Sequence, residues 1–405
     1  MRPGARVRVR SAAAFGLVAL LAACSAGGPQ RSGSSADEAA ARPPASRAVI
    51  TATPADGTQD VAPDAPVRVA VAQGTLTSVR LADDKGAPVP GHLAPDGASW
   101  TPDARLALAT PYTLDAVARD QSGQQAVQHL GFATLAPAHT FAAFFTPEDG
   151  STVGVGMPLS LRFSRAITDR AAVERAVTVR TEPPVPVVGH WFGGQRLDLR
   201  PQAYWAAGTK VTLSLALAGV QGAPGDYGTQ TKQMSFTIGR SQVSTADLDT
   251  HTMTVRQAGK VIRTLPISAG NPEHSTYQGV MVVSEKFEVT RMNSQTVGMG
   301  DEYDIKDVPH AMRLTASGTF VHGNYWAARS VFGSANTSHG CIGLADEKGG
   351  SPDSPAGWLF GHSLVGDVIE VRSQAGGDQV PPENGLNGWN LTWSQWVKGS
   401  ALPVR

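Results

Sequence analysis

One short stretch of the chain holds residue types that can do covalent chemistry. Thr319-Phe320-Val321-His322-Gly323 is followed, after fourteen residues, by Ser338-His339-Gly340-Cys341. A thiol attacks an acyl carbon as its thiolate, and a free thiol with a pKa of about 8.5 is mostly protonated at neutral pH. A neighbouring imidazole can take that proton and later return it to a leaving amine. The imidazole needs an acceptor on its other nitrogen to hold one tautomer. Backbone N–H groups must also face the oxygen on which charge develops. Gly340, directly before the thiol, permits a turn or close approach that a Cβ would hinder. Cys341 is thus a candidate nucleophile, and His322 a candidate base at the end of a strand. Two other readings stay open at this point. His322, His339 and Cys341 with a water would make a three-ligand zinc site, although no close-spaced histidine pair or carboxylate pattern accompanies them. A lone cysteine can also be simply a small buried hydrophobe.

The chain has 405 residues and two cysteines, Cys24 and Cys341. Two are too few for a disulfide scaffold or a four-thiolate zinc module. Arg2, Arg6, Arg8 and Arg10 precede the apolar run 11–23. That run is shorter than the roughly 20 residues of a membrane-spanning helix, and its layout is that of a secretory signal. It ends in Leu21-Ala22-Ala23-Cys24, which resembles the lipobox of bacterial lipoproteins. The resemblance implies removal of 1–23 and acylation of Cys24, and two or more acyl chains anchor stably where one does not. The expected location is the outer face of the cytoplasmic membrane, lipid-anchored and facing the wall. Residues 24–47 contain almost nothing large and apolar and read as a flexible tether. A lipidated Cys24 has no thiol to offer, so Cys341 is expected to be unpaired in an oxidising compartment, the setting of a reactive thiol.

Composition narrows the function classes. The 34 basic and 34 acidic residues balance to a formal net charge of zero, so no bulk electrostatic attraction to nucleic acid is expected. Glycine and proline, 44 and 28 residues, stay below the roughly 25–30% that marks low complexity. The length predicts two to three domains at roughly 150 residues each.

The elements ahead of the candidate site repeat. Pro54-Ala55-Asp56-Gly57 and Pro147-Glu148-Asp149-Gly150 are turn sequences 93 residues apart. Each precedes a strand of period two, around Val67–Val71 and Leu159–Phe163. Further alternating runs follow at Tyr112–Val117 and Lys210–Leu215, and each copy closes on a strand around Phe132 or Phe236. Short strands, regular turns and about 95 residues per copy predict two immunoglobulin-like β-sandwiches, over 48–138 and 139–239. Neither holds a cluster of titratable groups, so both read as spacers. From Ser241 the pattern predicts a third, mostly β domain over 240–372. Its strands are expected at Val243–Asp249, Thr252–Gln257, Lys260–Ser268, Val280–Glu285, Phe287–Arg291, Ala311–Thr315, Thr319–His322 and Asp367–Arg372, with one helix within 344–364. Residues 373–405 form a tail rich in tryptophan. Trp389, Trp393 and Trp396 look like a sugar-stacking platform, but packing onto the third domain is the plainer expectation.

The pattern of a histidine, fifteen residues and Ser-His-Gly-Cys resembles the signature of the L,D-transpeptidases of bacterial cell-wall synthesis. The tail segment Asn384–Asn390 with Trp393 and Trp396, and the paired sandwiches behind a lipobox, resemble the actinobacterial members. The resemblance implies a mainly β chain: two immunoglobulin-like sandwiches, then an L,D-transpeptidase catalytic domain. It implies Cys341 as nucleophile and His322 as general base, with the Gly323 carbonyl orienting the ring. Ser338 and His339 would shape the site, and N–H groups around Gly340 and Cys341 would bind the oxyanion. Tyr303 falls near the family's lid tyrosine, and Ser317-Gly318 matches a substrate-contacting pair. Gly343 stands where the family often has asparagine, so Asn336 or Asn324 becomes a candidate replacement for that amide. The implied partners are peptidoglycan stem peptides, a tetrapeptide donor and an acceptor stem, with carbapenem β-lactams as inhibitors. No metal or organic cofactor is implied. The implied reaction is 3→3 cross-linking through a thioester with release of D-alanine. Other acceptors (water, a D-amino acid or a protein amine) and a non-catalytic wall-binding lipoprotein are the alternatives.

Overall fold

The computed structural model describes residues 45–403 apart from Met299. Cys24, the signal segment and most of the tether lie outside the described residues. Among the described residues no helix is long and apolar enough to cross a membrane.

The repeated turn motif does the same job twice. Gly57 N–H donates to the Gly131 carbonyl at 2.7 Å, and Gly150 N–H donates to the Ser235 carbonyl at 2.7 Å. Asp56 Oδ1 accepts from Gly131 N–H at 2.8 Å, and Asp149 Oδ1 accepts from Ser235 N–H at 2.8 Å. Gly57 and Gly150 both have φ of 75°, a left-handed conformation that favours glycine at the turn. The turn at the head of each copy is thereby pinned to its closing strand. Each copy packs two four-stranded sheets face to face. One encloses a core that includes Val69, Leu81, Trp100, Leu114 and Phe132. The other encloses Leu159, Leu161, Trp191, Leu213 and Phe236. Residues 111–119 and 210–216 alternate between buried and less buried positions, as strands with one face on a core must.

The remainder builds a nine-stranded sheet. Its order is Gly279–Val282, Val368–Arg372, Gln242–Asp247, Thr252–Gln257, Lys260–Ser268, Ile342–Ala345, Phe320–Asn324, Asp304–Arg313 and Glu285–Asn293. The first and last strands in that order are joined by only Val283 and Ser284, so the sheet curls back on itself. Met253, Val255, Leu265, Ile267, Ile342 and Leu344 lie in its core. The expected helix is Pro355–Gly361, capped by Ser354 Oγ, which accepts from Gly357 N–H. The strand Ile342–Ala345 was not expected from the sequence. Four residues, all buried, give no alternation to read.

The tail differs from expectation in what it packs on. Trp396 is fully buried against the second sandwich: its Nε1–H donates to the Val188 carbonyl at 3.0 Å and its indole stacks on His190. Trp389 Nε1–H donates to the Gly156 carbonyl at 2.7 Å. Arg200, from the same sandwich, lies 4.3, 5.6 and 4.2 Å from the rings of Trp389, Trp393 and Trp396. The tail's asparagines face the catalytic sheet instead. Asn390 Oδ1 accepts from Val280 N–H and Asn387 Oδ1 accepts from Val282 N–H. The tail therefore lies between the two, with indoles on one side and amides on the other.

Candidate active site

The register of two buried parallel strands sets the geometry. Val321 pairs with Ile342 and His322 with Gly343. Continuing the register one residue back brings Cys341 level with Phe320. Residues that pair across strands share a face, as do residues two apart along a strand. Cys341 and His322 therefore project from one face, one strand over and two residues along. This is how the eighteen residues between His322 and Cys341 are spanned in space.

The turn leading into Cys341 is built by Ser338. Its Oγ donates to the Cys341 carbonyl at 2.6 Å and accepts from Gly340 N–H at 3.2 Å. Gly340 has φ of 109°, a region closed to residues with a Cβ, and so the turn requires glycine there. Because Gly340 N–H is given to Ser338, that bond must open before Gly340 can serve as an oxyanion donor. The turn is also fixed to the neighbouring loop: Ser338 N–H donates to the Ala269 carbonyl, and Asn271 N–H donates to the Ser338 carbonyl, both at 2.9 Å.

His322 is buried, and its Nδ1–H donates to the Gly323 carbonyl at 2.9 Å. That bond leaves Nε2 as the basic nitrogen. Its ring stacks on Trp326 at 5.6 Å. Burial pulls the imidazole below its usual pKa, partly opposed by the bond to Gly323. Burial pushes the Cys341 thiol up to about 11, partly opposed by the Phe320 N–H. Cys341 Sγ faces the Gly318 carbonyl at 3.7 Å. Both shifts favour a neutral thiol beside a neutral imidazole over an ion pair.

Gly323 is glycine for a reason of space. A Cβ there would land on the Asp346 carboxylate. Asp346 Oδ2 is 2.7 Å from His310 Nδ1, and Oδ1 accepts from the N–H groups of Glu347 and Ser351.

A cleft opens beside the thiol, lined by His274, Tyr303, Ser317, Gly318, His339 and Gly340, among others. Tyr303 lies 5.2 Å from the His339 ring. Burial, and then the nearby Cys341 and Glu302, raise its phenol pKa. Ser317 is held by the tail: its N–H donates to Asn384 Oδ1 at 3.0 Å, and its Oγ accepts from Asn384 Nδ2 at 2.8 Å. A larger cavity lies on the second sandwich, lined by Pro186, Tyr204, Trp205 and Trp393 among others, and its lining has no cysteine or histidine.

Residues 241–371 match the family described as the L,D-transpeptidase catalytic domain, and residues 58–221 match the bacterial Ig domain. L,D-transpeptidase 2 of Mycobacterium tuberculosis is 37% identical over 355 residues, which cover 87% of this chain and 85% of that protein. L,D-transpeptidase 5 of the same species is 34% identical over 374 residues, covering 89% and 78%. The chain belongs to the L,D-transpeptidase family. Among solved structures, an L,D-transpeptidase in complex with imipenem aligns at 32% identity and a TM-score of 0.48, covering 58% of this chain and 100% of that one.

Membership makes this L,D-transpeptidase an acyltransferase. His339, Tyr303, Ser317 and Gly318 line one cleft next to Cys341, while the side chains of Cys341 and His322 stand behind that lining and Gly343 is not part of it. Gly343 is buried in the sheet opposite His322, and a Cβ built on it would touch Asn324 and the Ser268 carbonyl at 3.5 Å. Asn336 is committed elsewhere, accepting from Ala269 N–H and donating to the Leu248 carbonyl. Asn324 Oδ1 accepts from Trp326 and Ala327 N–H. Three contributors escaped the sequence reading. Asn384 and Trp326 carry no spacing signal, and the His310–Asp346 pair joins residues 36 positions apart.

Proposed function

We propose that this L,D-transpeptidase forms 3→3 peptidoglycan cross-links through a Cys341 thioester. The observation that carries the reading is the pairing of a half-buried thiol with a tautomer-fixed His322 on one face, beside a cleft open to substrate. Sγ attacks the carbonyl carbon of the third residue of a tetrapeptide stem while His322 Nε2 takes the thiol proton. The tetrahedral intermediate collapses with cleavage of the bond to the terminal D-alanine, whose amine leaves with the proton from His322. The side-chain amine of a second stem then attacks the thioester carbonyl and gives its proton to Nε2. Cys341 leaves and recovers the proton. No redox change occurs, and the chain's own groups carry every proton.

Tyr303, His339 and the Ser317–Gly318 segment line the cleft into which the donor stem fits, with Cys341 N–H an oxyanion donor. Imipenem binding by a related L,D-transpeptidase supports the same susceptibility here: the thiol would open the β-lactam carbonyl as it does the stem amide. The reading includes export and lipidation at Cys24, which would hold the enzyme on the outer face of the membrane within a tether's reach of the wall.

The test is mass spectrometry of the protein after exposure to a carbapenem, with muropeptide analysis of a deletion strain. The expected result is one covalent adduct, absent in Cys341→Ala, and fewer 3→3 dimers in the strain. An adduct that persists in Cys341→Ala, or dimers unchanged by deletion, would overturn the assignment. The buried Gly343 favours one second reading, in which the same thioester passes to another acceptor. Adducts with unchanged dimers would support it.

A further inference from the structure

Two histidines that line the donor cleft and one glutamate from across its mouth form a group that takes no part in the proposed proton transfers. His274 Nε2 and His339 Nε2 lie 3.4 and 3.6 Å from the same oxygen, Glu302 Oε2. The ligand atoms of all three lie within 4.8 Å of one another. Three ligands around a tetrahedral zinc at about 2.0–2.1 Å stand roughly 3.3–3.5 Å apart. The edge at 3.4 Å has that length, the edge at 3.6 Å is close to it, and the third lies within 4.8 Å. The three side chains make no hydrogen bond among the described residues, so no competing partner holds them.

The supporting loops are prepared. Asn271 Oδ1 accepts from Glu273 N–H at 2.9 Å and from His274 N–H at 2.8 Å. The same loop is hydrogen-bonded to the Ser338 turn that carries His339. The two imidazoles thus stand on one joined platform, with their rings 5.2 Å apart. Glu302 comes from the tip of the hairpin formed by Glu285–Asn293 and Asp304–Arg313. There Ser294 Oγ donates to the Gly300 and Tyr303 carbonyls.

We infer that His274, His339 and Glu302 form a site for a divalent cation of the zinc class, two imidazoles and one carboxylate being the donor set such ions take. The fourth position is left to water. A bound ion ties the hairpin tip carrying Tyr303 to the loops beside Gly340, across the mouth of the cleft. Binding of the ion does not depend on the reading of Cys341 as nucleophile. Its consequence does: with the tip tied down, acylation of Cys341 slows.

The test titrates zinc chloride into the full-length protein by calorimetry and follows thermal melting with and without zinc. Wild type and Cys341→Ala are expected to bind one equivalent with equal affinity and to melt higher with zinc. His274→Gln and Glu302→Gln are each expected to bind at least about tenfold more weakly. All three groups are partly exposed, and metal-free melting identifies a variant that fails to fold, in which case His274→Asn or Glu302→Ala replaces it. Absent binding, binding lost in Cys341→Ala, or binding unchanged in both ligand variants overturns the site. Zinc is expected to slow carbapenem acylation in wild type and not in Glu302→Gln. If zinc binds at the three residues and acylation keeps its rate, the latch is refuted while the metal site stands. If Cys341 forms no adduct under any condition, the reading of the nucleophile fails and the calorimetry still decides the site.

Discussion

Cys341 should rest as a neutral thiol, and pH is the perturbation that tests this. Burial raises its pKa to about 11, against an ordinary 9.0. At pH 7 the thiolate then makes up roughly one part in ten thousand, against one in a hundred for an ordinary cysteine. The more basic thiolate is the better nucleophile; with a Brønsted coefficient of about 0.4–0.5, two pH units return roughly eightfold. Alkylation by iodoacetamide at pH 7 is therefore expected to run roughly tenfold slower than on an exposed cysteine. The rate should climb with pH at unit log slope and show no plateau below about pH 10. His322→Gln should leave that profile in place, since no imidazolium holds the thiolate in the resting enzyme. The same variant should slow carbapenem acylation by about 10²–10⁴, because there the base must take the proton in the transition state. The pKa of His322 is depressed, so the base stays neutral below the usual imidazole value and the acid limb of acylation should fall under about pH 6.5. The assay is mass spectrometry of quenched time points across pH. An alkylation plateau below pH 9, or a thiol pKa that rises in His322→Gln, would mean a thiolate–imidazolium pair and would refute the argument.

Four further substitutions probe the supports. Asn384→Ala removes both bonds to Ser317 and is expected to cost about 1–3 kcal/mol of stability and to slow carbapenem acylation, with melting and adduct formation as readouts. Arg200→Met should destabilise by about 2–4 kcal/mol, because it removes a cation stacked on three indoles and frees the Gly388 and Leu391 carbonyls; denaturant unfolding followed by tryptophan fluorescence measures it. Gly323→Ala drives a Cβ into the Asp346 carboxylate and should cost about 1–3 kcal/mol with loss of acylation, whereas His310→Asn, two removes from the thiol, should keep a measurable adduct rate.

The chemistry was legible in sequence where local geometry demands a residue type. Ser338 and Gly340 are needed because one turn must satisfy its own backbone and adopt a positive φ just before Cys341. The repeated Pro-x-Asp-Gly turns were legible for the same reason: an aspartate and a glycine pin each turn to a distant strand. Alternation exposed the strands with one face on a core, such as Thr252–Gln257 and Lys260–Ser268. It missed Ile342–Ala345, the strand that aligns Cys341 with His322, because a fully buried strand has no polar face to alternate with.

What escaped the sequence is the part that depends on two distant segments meeting. From sequence, the tail tryptophans are expected to pack on the catalytic domain rather than to form a sugar-stacking platform. The structure shows that Arg200 decides the matter. It is a buried cation with no carboxylate partner among the described residues, its pKa lowered to about 10 by desolvation, and three indole faces and four backbone carbonyls surround it in place of a counter-ion. Such a cation is tolerable only while the tail is seated, and the seated tail presents Asn384 to Ser317 at the cleft. The second sandwich and the active site are therefore linked through the tail. Loosening it at Arg200 should lower acylation even though no atom of Arg200 touches the cleft. An Arg200→Met enzyme that unfolds more readily yet acylates at the wild-type rate while folded would show that the seat serves stability alone.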